Sequence, residues 1–501
     1  MSTANTTWPG TWDIDITPLV PEVYADYRPL VADAIAFFLH HLSAPRLAAI
    51  LAGQQALPRD ADLAQRLTSL LFHCPTLHKL GQVVARNQKL DRELRDRLQT
   101  LETMPGKRCG AAIRRVIHGE LGEITEGALR LDSTALAEAS VSVVVPFSLP
   151  AAASSDPDHG VLKVLKPGIE ETLEEELAIW SKLGQYIDER CEHYKIPPLN
   201  YAESLATIRD LLAKEIRLDL EQRHLAEAAE FYRDAGGVRI PALFPFCTPR
   251  ITAMERVYGK KVTDVDTLSE RQRRRLANSV VDALIARPVW TPLEMAIFHA
   301  DPHAGNLFFT DDERLAILDW SLIGHLGKIE RVHVVQLLLG ALTLDPKRVA
   351  GEIEALARTP VNQSALRTVV DKALGKLYAG EFPGFHWSQS LLDEVSLSAG
   401  VRFSSELLLY RKSLLTIEGV ITDISGKSSI GRVLPASAIR QFLCELTARA
   451  MAPPTSRNFG THVSNLDLLF LYWGGLAAAA RFWTHRWQSR LVTPIDNPPE
   501  P

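Results

Sequence analysis

The stretch Phe298-His-Ala-Asp-Pro-His-Ala-Gly-Asn-Leu-Phe-Phe309, followed by Leu315-Ala-Ile-Leu-Asp-Trp320, decides how the rest of the chain is read. Asp311, Asp312 and Glu313 resist burial in a strand, so they mark the turn of a hairpin. Its arms are Leu307 to Phe309 and Leu315 to Leu318. Such a hairpin brings Asp301, Asn306 and Asp319 to one end. Two carboxylates and a carboxamide on adjacent loops make an all-oxygen site, of the kind Mg²⁺ takes when phosphates supply its remaining ligands.

Asp301 precedes Asn306 by five positions, and Asp319 follows the hairpin. Protein kinases space their catalytic-loop Asp, metal-binding Asn and second metal-binding Asp in this way for phosphoryl transfer. The competing reading is a buried turn rich in Asp and His, held by side-chain bonds to backbone. It leaves the joint spacing unexplained.

The remaining sequence bounds the setting. A chain of 501 residues, 46% of them hydrophobic, is long enough for several domains with full cores. A net charge of -5 argues against a nucleic-acid-binding surface. Cys74, Cys109, Cys191, Cys247 and Cys444 lie far apart without metal spacing, which implies reduced thiols in a cytoplasmic compartment. Residues 1 to 20 lack a basic start followed by an apolar run, so no secretory signal is expected there. No apolar run reaches the length of an ordinary membrane-spanning helix.

Apolar residues recur at helical spacing from Val23 to about Ala56, again over Ala61 to Cys74, and in Leu77 to Asn87, which carries Lys79, Gly81 and Gln82. A further helix over Asp91 to Glu102 places Leu94, Leu98 and Leu101 on one face before Pro105 and Gly106 stop it. Taken with the 298 to 320 stretch, the Lys-x-Gly-Gln helix and the following Arg86, leucines and Pro105 resemble the UbiB/AarF family of atypical kinases. The resemblance implies an α+β, bilobal protein-kinase-like fold with a helical N-terminal extension and a predominantly helical large lobe. It also implies that the extension packs over the active site, with Lys79 and Gln82 pointing at the nucleotide and protein substrates blocked.

In the small lobe the resemblance replaces the usual glycine-rich loop by an alanine-rich turn, here Ala137-Glu-Ala-Ser140, so Ala137, Ala139 and Ser140 are expected at the nucleotide. Glu138 departs from the family pattern and sets a carboxylate where phosphates would lie. Val143 and Val145 stand where relatives usually carry Gln and His. Lys163 sits in the apolar centre of a strand, where an unpaired ammonium costs several kcal/mol, so it requires a partner. A helix over Glu170 to Tyr194 follows, then a single long one over Ser204 to Phe231. On it, Glu215 and Glu221 match two family Glu residues six apart, with Arg217 in place of an Asp. Glu215 is assigned as the partner of Lys163, with Glu221 as the alternative. Ile251 to Gly259 resembles the crossover where adenine bonds to backbone groups, which places Glu255 and Val257 at the nucleotide.

In the large lobe Ser321 follows Asp319-Trp320, where most kinases have Gly. From Ile329 to Ile424 only helices are expected, and Glu418 stands in a stretch that resembles a late family helix. Leu468 to Ala480 is an apolar run, short for a span, flanked by Trp473, Trp483, Trp487, Arg481, Arg486 and Arg490. It reads either as a peripheral membrane contact at the inner face or as a packing or homodimer helix. The expected domains are an extension (1–118), a small lobe (119–257), a large lobe (258–450) and a tail (451–501).

The resemblance implies ATP and Mg²⁺ as cofactors. In its terms Asp301 acts on the acceptor, Asn306 and Asp319 hold the metal, and Lys163 grips the phosphates. It further implies a lipid or prenol-type partner and a role in isoprenoid quinone or membrane lipid synthesis. Two alternatives stay open. One is a phosphotransferase similar to aminoglycoside and choline kinases, which share His-x-Asp-x-His-x-x-Asn. The other is a nucleotide-binding pseudokinase, motivated by Glu138 and Ser321.

Overall fold

The computed structural model describes residues 19–84, 104–105, 110–122, 129–149, 159–196 and 201–492. The expected helix over Asp91 to Glu102, with Leu94, Leu98 and Leu101, lies outside them, as do Arg86, the arm before residue 19 and the loop after Leu149. The side chains of Gln82, Pro105, Arg486, Trp487 and Arg490 also lie outside the described residues. The chain divides into two compact units, Met1–Ala226 with Pro241–Val257, and Glu227–Ile240 with Tyr258–Pro501.

The first unit opens with α1 (Arg28–His40), α2 (Ala44–Gln55), α3 (Leu63–His73) and α4 (Pro75–Val84). The span with helical spacing from Val23 to about Ala56 is interrupted at His41 to Ser43, where Ser43 adopts ψ 149 and Pro45 sits in the first turn of the next helix. Asp62 and Gln65 form a reciprocal cap on α3. Next come β1 (Met104–Pro105), α5 (Ala111–Leu121), β2 (Arg130–Leu131), β3 (Ala137–Glu138), β4 (Ser142–Ser148), β5 (His159–Leu165) and α6 (Ile169–Tyr194). After them run α7 (Tyr201–Ala213), α8 (Leu218–Phe231), β6 (Val238–Arg239, in the second unit) and β7 (Ile251–Glu255).

The sheet of this unit has the order β1-β3-β4-β5-β7, with β2 on β4, and its pairings are antiparallel. Ile113, Ile117 and Leu121 of α5 bury against Val145, Phe147 and Leu162 of the sheet. Phe38, Leu39, Ile50 and Leu70 of the opening helices pack against Ile179 and Trp180 of α6.

One expected element differs. The helix read as continuous over Ser204 to Phe231 breaks into α7, a tight 3₁₀ turn at Lys214–Ile216, and α8. Arg217 leaves the helical region at φ -90, ψ 71, and its guanidinium pairs with the Asp219 carboxylate at 2.8 Å. Glu215 and Glu221 therefore lie on different elements rather than on one helix face.

The second unit contains β8 (Gly259–Lys261), α9 (Glu270–Val281), β9 (Met295–His299), β10 (Leu307–Thr310), β11 (Leu315–Ile317) and β12 (Ile323–Gly327). β10 and β11 are the hairpin expected from the sequence, in the sheet order β6-β11-β10-β8. Glu313 closes its turn at φ 60. β9 and β12 form a separate antiparallel pair. Helices follow: α10 (Lys328–Leu342), α11 (Pro346–Leu356), α12 (Gln363–Tyr378), α13 (Phe385–Ser398), α14 (Ser405–Ile424), α15 (Ile430–Ala450) and α16 (Asn465–Val492). Their core centres on Ile353, Leu366, Trp387, Leu391 and Val395, and Ala478 and Phe482 dock α16 onto it.

Strands grouped apart from a largely helical remainder make the protein α+β, as expected. Among the described residues no single helix is long and apolar enough to cross a membrane. The bent pair formed by the first helices has the hydropathy for it, but Phe38, Leu39 and Ile50 are buried in the core of the unit.

Candidate active site

Among the described residues the first unit presents three Lys–Glu pairs. Lys163 lies mid-β5, between Val144 of β4 and Thr252 of β7. Its Nζ is 2.8 Å from both carboxylate oxygens of Glu221, which is 3% exposed. The assignment of Glu215 as its partner is thus corrected. The break before α8 turns Glu221 toward the strand, while Glu215 meets Lys79 of α4 at 2.9 Å. The third pair answers the difficulty raised by Glu138: its carboxylate lies 2.9 Å from Lys166 Nζ, so its charge is compensated. Lys166 also sits over the Phe72 ring of α3, at 5.3 Å.

The alanine turn closes through Ala139 N–H donating to Ser142 O at 2.9 Å, which leaves Ala137 and Glu138 in β3 and Ser140 at the tip. At the crossover, Glu255 N–H donates to Ala242 O at 2.8 Å, and Val257 follows two residues later as half-buried backbone. Val143 and Val145 are buried in the sheet core.

The second unit builds the oxygen-rich end of the hairpin. His299 is 1% exposed. Its Nε2 lies 3.0 Å from Leu318 O, and its Nδ1 accepts from Asp301 N–H at 3.2 Å. Those partners require the neutral Nε2–H tautomer, and burial holds the imidazole below its ordinary pKa. Asn306 Nδ2 donates to Asp301 O at 3.1 Å, and Leu318 N–H donates to Asn306 O at 2.8 Å. Backbone and side-chain bonds thus tie Asp301, Asn306 and the approach to Asp319 into one constellation.

Asp319 holds a left-handed backbone at φ 53, which Asp tolerates better than most residues. Its Oδ1 is 3.4 Å from Ser321 N, so the serine in the usual glycine position supports the turn through its backbone. Trp320 is fully buried, donates to Ile317 O at 3.1 Å and meets His299 edge-on. Phe298 occupies the space a side chain at Gly324 would need.

Among the described residues, no group of three or more His, Cys, Asp or Glu could hold a metal by itself. The donor set nevertheless fits Mg²⁺ as a phosphate complex. With Asn306 Nδ2 bound to Asp301 O, the amide oxygen would be the ligand atom, and Asp319 would supply a carboxylate. His299 and Ser413 are contributors that the motif reading missed: Ser413 on α14 donates to His299 O at 2.8 Å. Only the His at 299 carried a local signal, through its place in the motif.

A lysine held by a buried glutamate, and an Asp-Asn-Asp constellation on a hairpin, define a protein kinase-like domain. Comparison with known proteins is consistent with this. The ABC1 atypical kinase-like domain matches residues 104–353. A probable protein kinase UbiB of Haemophilus ducreyi is 26% identical over 363 residues, covering 69% of this chain and 65% of that relative. The Xanthomonas euvesicatoria protein of the same name is 25% identical over 416 residues, covering 78% of this chain and 70% of the relative. The chain thus spans about 65% of the length of the Haemophilus relative it matches. A Mycobacterium tuberculosis protein, Rv3197, solved in complex with erythromycin, aligns over 80% of this chain and 94% of its own at 15% identity, with a TM-score of 0.47. The chain belongs to the UbiB/AarF family of atypical kinases.

Proposed function

We propose that the protein binds Mg-ATP and transfers its γ-phosphoryl group to water or to a small hydroxyl acceptor, in support of isoprenoid quinone or membrane lipid synthesis. One observation carries the reading: Asn306 Nδ2 donates to the Asp301 carbonyl, which leaves the amide oxygen as the atom available to a metal in the constellation that includes Asp319. Mg²⁺ on Asn306 and Asp319 would supply charge neutralisation for the phosphates. Asp301 orients the acceptor and takes its proton. Lys163, held by Glu221, binds the phosphates.

Glu255 and Val257 offer backbone groups to adenine, and Ala137, Ala139 and Ser140 line the phosphate turn. Lys79 and Gln82 of α4 limit the acceptor to small molecules. The pairing of Glu138 with Lys166 favours a working phosphate site over the pseudokinase alternative. The reading is tested by Mg²⁺-dependent ATP turnover in the wild type and in Asp319→Asn. Loss of turnover in the variant supports it, and equal turnover in both overturns it.

A further inference from the structure

The helical part of the second unit encloses a cavity of about 610 Å³, within the size range of small-molecule sites. Its walls come from α10, α13, α14, α15 and the start of α16, and they include none of Asp301, Asn306 and Asp319. Most of the lining is aliphatic or aromatic, which favours an apolar occupant.

Two further features narrow the ligand. Leu342, Phe382, Leu408 and Ile439 line the cavity and are also exposed, so its mouth is rimmed by apolar side chains rather than polar ones. A mouth of this kind suits a ligand that arrives from an apolar phase. In addition, Trp290 Nε1, Gln389 Nε2 and Arg411 Nε are buried donors on lining residues without an acceptor among the described residues. A buried donor left unpaired is destabilising, and a ligand oxygen offsets part of that cost. The carboxylates of the lining are already engaged: Asp393 by Arg411, and Glu330 by Ser404.

We infer that this cavity is a binding site for a single-chain amphiphile, with an alkyl or prenyl chain among the aliphatic walls and one uncharged oxygen, hydroxyl or carbonyl, accepting from Gln389 or Trp290. The site goes beyond the proposed phosphoryl transfer, because its occupant need not be the phosphoryl acceptor.

The test is calorimetric titration of the full chain, without nucleotide, by farnesol and by oleyl alcohol, each kept below its aggregation threshold. Saturable binding of either alcohol supports the site, and the tighter one identifies the chain type; no saturable binding of either overturns it. Leu338→Trp projects an indole into the cavity and should weaken binding at least tenfold (about 1.4 kcal/mol). Gln389→Leu should weaken farnesol severalfold while leaving its hydroxyl-free counterpart farnesene unchanged. Unaltered affinity in Leu338→Trp overturns the assignment.

Should that variant fail to fold, photolabelling of the wild type by a diazirine-bearing farnesol decides. Label on the α13, α14 or α15 residues of the cavity supports the site, and label confined elsewhere overturns it. Asp319→Asn should bind farnesol as the wild type does, so loss of ATP turnover and loss of this site are told apart.

Discussion

Lys163 Nζ and the Glu221 carboxylate form a two-oxygen ion pair, 2.8 Å to each oxygen, with the glutamate almost entirely buried. Removing one partner of such a pair leaves the other charge stranded, at a cost of about 3–5 kcal/mol. Glu221→Ala should therefore lower the unfolding free energy by about 3 kcal/mol in denaturant titrations. Glu221→Gln should reduce ATP turnover by about tenfold or more, and Glu215→Gln by clearly less. Equal losses in the two Gln variants would return the role to Glu215.

The Lys79–Glu215 pair is partly exposed, at 32% and 25% of the side-chain surfaces, so a modest energy is expected. A double-mutant cycle through Lys79→Ala and Glu215→Ala should give a coupling of about 0.5–1 kcal/mol in thermal unfolding. A coupling near zero would mean that the pair does not hold α4 to the rest of the unit.

Glu138 and Lys166 offer a sharper cycle. Lys166→Ala exposes an uncompensated carboxylate at the proposed phosphate turn and should raise the KM for ATP by about tenfold. Glu138→Ala should change it little. The double variant should recover most of the loss. A KM unmoved by Lys166→Ala would show that Glu138 is not near the phosphates.

Much of this was legible in the chain itself. The hairpin and its polar end follow from spacing alone, because acidic residues at 311 to 313 forbid a buried strand and the apolar arms demand one. Lys163 in an apolar strand announced that it needed a counter-charge. Which glutamate supplied it was not legible, since the choice depends on a local break: Arg217 and Asp219 bond to each other and stop α7 from running into α8. The compensation of Glu138 was equally hidden, because Lys166 reads as part of a turn and its reach back to β3 is tertiary. The cavity among the late helices left no motif, as aliphatic residues at helical spacing look the same whether they meet another helix or a void.

The tail gives a further prediction. Leu469, Phe470, Tyr472, Trp473, Leu476 and Trp483 of α16 are exposed while Ala478 and Phe482 dock inward. If the outer face meets lipid, Trp473→Glu should abolish cosedimentation with anionic vesicles and leave the melting temperature within about 2 °C of wild type. A dimer interface would instead show as a change of sedimentation coefficient in the variant, without lipid.

Acid stability tests the packing beside α15. His462 is fully buried, with Nε2 at 2.8 Å from Val289 O and no partner for Nδ1 among the described residues, and burial lowers its pKa to about 4. Arg331, Lys328 and Glu445 are the charged groups that act on it. The unfolded chain binds a proton below about 6.5 and the folded chain does not until about 4. Stability contributed by this group is therefore complete above pH 6.5 and lost as the pH falls toward 4, by about 3 kcal/mol. His462→Asn, which suits the left-handed backbone at φ 55, should flatten that part of the stability profile. An unchanged slope would assign the acid sensitivity elsewhere.

In the proposed reading Asn306 and Asp319 would hold magnesium only as part of a nucleotide complex. The most direct measurement is ATP affinity with and without Mg²⁺, in the wild type and in Asp319→Asn. Mg²⁺ should tighten binding by about tenfold or more in the wild type and have little effect in the variant. The same affinity with and without Mg²⁺ in the wild type would contradict it.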